Sequence, residues 1–349
     1  MNIIITGSGG LVGSEAVEFF CAKGYNVIGI DNNFRKKFFG QDGCNFNNLK
    51  NLEKKFKNFK NYKIDISNIK KLEPIFKKVK NIYTIIHAAG QPSHDFSNIQ
   101  PYMDFNSNAL GTLNLLNCTK KYHPNASFIF VSTNKVYGDL INYSKIIDIR
   151  EEELRFEGYK DNNKTRINEK MSIDQSTHSL FGVSKVYADL LCQEYSNLYN
   201  LKTGIFRCGC ITGKKHNGVE QHGFMSHFIK CLKNNHDYTI YGYKGKQVRD
   251  NIHSIDLVNA FFEFIKKPKS GAVYNLGGGR NNNISILELI QIFKAKKSNI
   301  EKNILYDNKP RIGDHKWYIS DNTKFINDYP NWSQKNNILN IVDEIYYNS

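Results

Sequence analysis

The chain has 349 residues, 40 % hydrophobic and 13 % aromatic, which suits one large folded domain with a smaller companion and excludes a disordered sequence. No run approaches the ~18 apolar residues of a membrane span, so no membrane partner is expected. The net charge of +15 fits an anionic ligand, or equally a general richness in lysine, because the lysines are spread along the chain without a basic stripe or a DNA-reading motif; no nucleic-acid partner is expected.

The start, MNIIITGSGG, has no basic lead and no cleavage site, and it reads directly as a strand rather than a signal peptide. NIIIT, YNVIGID, YKIDI, IYTIIHA and SFIFVS read as buried parallel strands. Between them, LVGSEAVEFFCAKG and NALGTLNLLNCTKKY carry apolar residues at helical spacing. This alternation predicts an α/β fold, a Rossmann-type doubly wound parallel sheet. Residues 142–175 break the rhythm. DIREEELRFEGYKDNNKTRINEK is highly charged without a period, and is expected as a loop with short helical pieces, either a solvated excursion or a lid.

Residues 1–207 are expected to form the Rossmann domain, and the chain to leave the sheet after Arg207. Residues 208–349, mainly 208–236 and 268–349, would form a smaller α/β C-terminal substrate domain. Residues 237–267, with YTIYG and HSIDLVNAFFEFI, would return to the first domain.

TGSGGLVG places Gly7, Gly10 and Gly13 directly after a strand, with Leu11 and Val12 opening a helix. The first glycine permits a tight turn, the second lets backbone approach a pyrophosphate, and the third allows close packing. A second strand ends at Asp31, followed by Asn32. An acid there accepts both ribose hydroxyls of NAD and repels the extra phosphate of NADP. Arg35, Lys36 and Lys37 leave some room for NADP, but NAD is the expected cofactor. Asp65 and Ile66 end the third strand near the expected adenine, where Asp65 can equally cap a turn before SNIKKLE. His87 ends the fourth strand and is either a site residue or a satisfied core histidine. Seven scattered cysteines without a CxxC pair imply reduced thiols in a cytoplasmic protein and no metal site.

TGSGGLVG, Asp31, HAAGQ, NSNALGTLNLL, VSTNKVYGD, SLFGVSK, GKQVRDNIHSIDL and YNLGGG follow one another as in the extended short-chain dehydrogenases. The chain resembles their NAD-dependent nucleotide-sugar epimerase/dehydratase branch. STNKVYGD and GKQVRD, with HxAGQ, most resemble the CDP-paratose (CDP-tyvelose) 2-epimerases. The resemblance implies transient oxidation of a sugar carbinol by bound NAD and return of hydride to the other face, in surface-polysaccharide or glycoconjugate synthesis. By position, Lys185 is the lysine that holds the nicotinamide ribose, Thr133 the hydroxyl at the reacting oxygen, and Phe181 stands where the family has its proton-carrying tyrosine.

Three readings of Phe181 stay open. Thr133, Lys185 and a water carry the proton; or His87, His94, Lys135 or His222 substitutes; or the protein binds a nucleotide sugar without turning it over. The resemblance further places Ala88, Ala89, Gly90 and Asn108 at the cofactor, and Gln91, Asn134, Lys135, Arg249 and Arg311 at the substrate. Arg249 would meet the diphosphate, unless it pairs with Asp250. Asn134 and Lys135 replace the Asp-Glu pair of dehydratases, which disfavours elimination of water. Cys210 replaces a family asparagine, and HNGVEQHGF (216–224) and RIGDHKW (311–317) are expected to border the sugar or base, with a surface loop and a loop salt bridge as the alternatives. In the family it resembles, helices at 102–121 and 178–198 form a dimer interface, so the resemblance implies a homodimer. The expected function is C2 epimerisation of a CDP-(deoxy)hexose, with a C4 epimerase, a dehydrogenase or an NAD-bound pseudoenzyme as alternatives.

Overall fold

The computed structural model describes residues 1–143, 145–220, 222–295 and 303–348. Five early strands form: β1 (Asn2–Thr6), β2 (Asn26–Ile30), β3 (Phe59–Tyr62), β4 (Ile82–His87) and β5 (Ser127–Thr133). With Lys202–Cys208 and Ala272–Leu276 they make a seven-stranded sheet, ordered Ala272–Leu276, Lys202–Cys208, β5, β4, β1, β2, β3. Every neighbouring pair is parallel.

A parallel sheet is covered on both faces, which explains the unbroken apolar run of NIIIT. Ile3 and Ile5 enter one core with Phe20, Phe206 and Phe261, and Ile4 enters the other with Phe76, Leu116 and Phe128. The strand order reverses between β1 and β4, which opens a crevice at the carboxyl ends of the strands, where α/β sheets bind ligands.

Several placements differ from the sequence reading. The third strand is FKNY rather than YKIDI, so Asp65 and Ile66 lie in the loop beyond it. Ala272–Leu276 is an edge strand of the large sheet, because Tyr274 and Leu276 are fully buried against Phe206 and its neighbours. Tyr238–Tyr241 pairs with Ile304–Asp307 in a separate two-stranded sheet. The helix Ser254–Lys266 packs Leu257, Phe261 and Phe264 into the core below α1 (Leu11–Ala22).

The 142–175 excursion is also different. It holds a three-stranded antiparallel sheet, Asp148–Glu151, Phe156–Lys160 and Asn163–Lys164. Asp161 and Asn162 turn the hairpin with φ of 50° and 59°, a left-handed pair that asparagine and aspartate tolerate. Glu157 anchors it from inside: it accepts from the Trp317 indole at 3.0 Å and from Arg280 at 2.8 Å, with Lys164 at 3.5 Å.

A four-stranded sheet carries the other wall of the crevice. Its central strand, Val248–His253, pairs with Cys210–Thr212, Asn283–Ser285 and Trp317–Tyr318. Among the described residues no helix is long and apolar enough to cross a membrane.

Candidate active site

The glycine loop fixes the cofactor side. Gly7 has φ +68°, and a Cβ there would stand 2.8 Å from the Ala89 nitrogen. At Gly13 a Cβ would stand 2.0 Å from the Gly7 oxygen, so α1 closes directly onto the turn. Leu11 and Val12 line the cleft at the start of that helix, where free amides suit a phosphate. Asp31 lies at the end of β2, accepting from Gly9 N–H at 2.8 Å and Asn33 N–H at 2.7 Å. Burial raises its pKa, and those two donors oppose the rise. Asn32, Asp65, Ile66, Ala88, Ala89 and Gly90 also line the cleft. Asp65 additionally accepts from the Ser67 amide and hydroxyl, so it caps its turn as well. This cradle, an acid at the second strand end above a loop with no room for side chains, fits a dinucleotide.

Arg35 does not turn toward Asp31. It donates to Asn217 O at 2.7 Å and lies 3.4 Å from His222 Nδ1. The contact draws residues 213–220 and 222–224 across the cleft, and Lys215 adds ion pairs to Glu15 at 3.4 Å and Glu18 at 2.6 Å. His216, Asn217 and His222 thus border the cleft; Gln221 lies outside the described residues.

The long helix Ser179–Tyr199 presents Phe181 and Lys185 to the cleft. Lys185 donates to Val131 O at 2.8 Å and sits over the Phe130 ring at 4.2 Å. Burial lowers its pKa to about 8. Phe181 is 7 % exposed, and its ring meets the His94 ring edge-on at 5.0 Å. Thr133 ends β5 and accepts from Lys135 N–H at 3.2 Å.

Two residues expected at the ligands also bond within the protein. Gln91 is fully buried; its amide donates to Ser93 O and Asp104 Oδ1, each at 2.8 Å, and accepts from the Ser93 amide. Asn108, on a wider π-helical turn at Asn106–Leu110, accepts from Gln91 N–H and donates to Ser184 Oγ. It holds the Gly90–Gln91 loop from below, leaving no room at Gly90 for a Cβ, which would stand 2.8 Å from Asn108 Oδ1. His87 is also internal. Thr6 and Thr112 hydroxyls sit 2.8 Å and 2.9 Å from its two nitrogens, and burial keeps it neutral, well below its ordinary pKa.

The substrate side is a charge cluster. Asp314 accepts from Lys135 at 3.0 Å and from Arg249 at 2.7 Å. Arg249 also donates to Val248 O and His315 O, so its ion-pair partner is Asp314 rather than Asp250. Burial raises the Asp314 pKa, but the two cations outweigh it and hold it far below the carboxylate range. Burial lowers the Lys135 pKa despite Asp314. Arg311 stacks over Tyr241 at 4.5 Å and donates to Glu220 O at 2.9 Å. Asn134 and Cys210 complete this wall, where burial raises the Cys210 thiol to about 11. Among the described residues no group of three or more His, Cys, Asp or Glu could hold a metal. Sequence reasoning missed Asp314, although it lies inside the RIGDHKW segment singled out for other reasons.

Comparisons with known proteins agree with this geometry. The family model for the NAD dependent epimerase/dehydratase family matches residues 3–277. The CDP-paratose 2-epimerase of Salmonella typhi is 31 % identical, over 99 % of this chain and 98 % of its own. The UDP-glucuronate 4-epimerase of Thermodesulfobacterium geofontis is 28 % identical, over 83 % and 79 %. The dTDP-glucose 4,6-dehydratase structure from Bacillus anthracis, in complex with NAD, shares the fold at TM-score 0.78 and 24 % identity, over 100 % of this chain and 96 % of that one. With the family model spanning most of its length and the glycine cradle in place, the chain belongs to the NAD-dependent epimerase/dehydratase family.

Proposed function

We propose that this protein is an NAD-dependent nucleotide-sugar epimerase acting at C2 of a CDP-(deoxy)hexose in surface-polysaccharide or glycoconjugate synthesis. One observation carries epimerisation over dehydration. At the end of β5, where elimination of water requires an acid and a base, stand Asn134 and a Lys135 whose ammonium is held by Asp314. The likeness to a CDP-paratose 2-epimerase over the whole chain supports the choice of carbon and base. When bound, NAD supplies the acceptor for a hydrogen and its electron pair at the sugar carbinol and returns them to the opposite face.

The chain's own residues then have separate tasks. Gly7, Gly10, Leu11, Val12 and Gly13 receive the pyrophosphate, and Asp31 accepts from the adenosine ribose. Lys185 holds the nicotinamide ribose, and Thr133 contacts the reacting oxygen. Arg249, Lys135 and Arg311 receive the substrate diphosphate, for which guanidinium forks are suited. The seven cysteines are free thiols, and a reducing cytoplasm is the compartment proposed for them. Tyr102, Phe105, Leu180, Val183 and Tyr187 are exposed on the two adjoining helical segments and support a homodimer. The competing reading, a binding protein without turnover, rests on the buried Phe181.

Incubation of the NAD-bound protein with CDP-, UDP-, GDP- and dTDP-linked hexoses and deoxyhexoses, read by proton NMR, tests the proposal. A C2 epimer of a CDP sugar is expected, with two chains per particle by light scattering. A C4 epimer moves the assignment to the alternative carbon, and silence across the panel with NAD bound favours the binding protein.

A further inference from the structure

Phe181 removes the phenol that carries the proton in relatives of the sequence pattern, and the structure sorts the groups that could replace it. His87 is sealed between Thr6 and Thr112. His222 faces Arg35 and His216. Lys135 is committed to Asp314 and Gly313 O. His94, Lys135 and His222 all line the cleft, but of the four candidates His94 alone packs against Phe181, ring to ring at 5.0 Å.

Its surroundings are built for an oriented base. His94 Nδ1 lies 2.6 Å from Ser179 Oγ. Ser179 opens the helix that carries Phe181 and Lys185, and it does so at φ +62°, a left-handed conformation that a serine adopts at a cost. The Gly182 amide also donates to this hydroxyl, at 3.3 Å, which fixes its position. Among the described residues Nε2 has no hydrogen-bond partner, and His94 lines the cleft.

Resting on the epimerase reading above, we propose that His94 is the proton carrier that replaces the missing phenol, with Nδ1–H donating to Ser179 and Nε2 facing the sugar. As the carbinol is oxidised, its O–H proton passes to Nε2, the C–H electron pair leaves with its hydrogen to the oxidised cofactor, and the C=O bond forms. After the sugar turns, the cofactor returns the hydrogen and pair, and Nε2 returns the proton to oxygen, so there is no net redox change. Ser179 selects the tautomer, as the second partner of a catalytic histidine does. In the free protein burial, then Lys135, Arg311 and Arg249, lower the His94 pKa to about 3, while Asp314 opposes them and His222 faces it from the 213–224 segment. The imidazole is therefore neutral and able to accept. A diphosphate seated among the same cations offsets their part of the shift, while the larger part, from burial, stays.

The test is His94→Asn, which keeps a polar group near the Nδ1 position but cannot take up the proton. It is assayed on CDP-paratose in the NAD-bound protein, alone and combined with Phe181→Tyr. The single variant is expected to lose about a hundredfold in kcat with little change in KM, and the double variant to recover at least about tenfold as a phenol beside Lys185 takes over. Heteronuclear NMR of labelled histidine, which needs no turnover, is expected to find His94 as the Nδ1–H tautomer near neutral pH. A single variant within about threefold of wild type overturns the proposal, given the size of such effects. So does a loss that Phe181→Tyr leaves uncorrected, or an Nε2–H tautomer. If wild type is silent on CDP-paratose and on the wider sugar panel, the epimerase reading fails, and the proton-transfer role of His94 fails with it.

Discussion

The cofactor side of the cleft is shaped by backbone within one short loop, whereas the substrate side is shaped by side chains that meet from distant segments. Gly7 and Gly13 touch main chain and permit nothing else, so their local text defines their geometry. Lys135, Arg249 and Asp314 come from the end of β5, the central strand of the smaller sheet and a late loop, and only the fold introduces them to one another. The difference teaches that a backbone site is rigid against any added atom, while a charge cluster can be retuned one member at a time.

The largest break in that contrast comes from Gly13→Ala. Its methyl would meet the Gly7 oxygen, so the variant is expected to lose about 3 kcal/mol of stability and all NAD retained through gel filtration. Normal cofactor content would show that the turn is softer than its geometry. Asp314→Asn is expected to act on the other side only. It frees Lys135 and Arg249 from their common anchor, so kcat/KM for the nucleotide sugar falls about tenfold through KM while NAD affinity holds. Equal losses on both sides, by steady-state kinetics and NAD titration, would merge the two halves.

The smallest effect sharpens the wall between them. Asp250 is buried beneath Gly209 and Gly277, and burial raises its pKa to about 6, against donors from Ser320 and Gly279. Its folded pKa thus lies above its unfolded value. The folded protein binds the extra proton, so stability declines as pH rises from about 4 to 6 and is level above. Asp250→Asn removes this dependence, and its melting temperature is expected to exceed that of wild type by about 2–4 °C above that window, with the gap closing at acid pH. A gap that widens toward acid would reverse the sign.

Legibility in the sequence follows the same division. The parallel strands, the glycine cradle and Asp31 are readable because period and spacing are local properties, whereas Lys185 and Phe181 stand out only through the family resemblance. The hairpin at Asp161–Asn162 was also written locally, in a pair that favours left-handed backbone, but the surrounding charge hid it. The Asp314 anchor was not readable, since nothing near it in sequence names Lys135 or Arg249. Gln91 and Asn108 show a different limit: a residue can sit beside a ligand site and spend its polar atoms holding the loop that forms it.

Asp314 also has counterparts elsewhere. Glu18 serves Lys55 and Lys215, and Glu157 serves Arg280, Arg155 and Lys164. In a chain with 48 lysines and arginines against 33 acids, carboxylates become shared hubs. Replacing one base at a hub leaves the acid with another partner, but replacing the acid strands two or three cations at once, in surroundings where unpaired charge is costly. Tolerance to mutation is therefore lopsided: the abundant cations can drift, and the scarce anions hold the molecule to its present form.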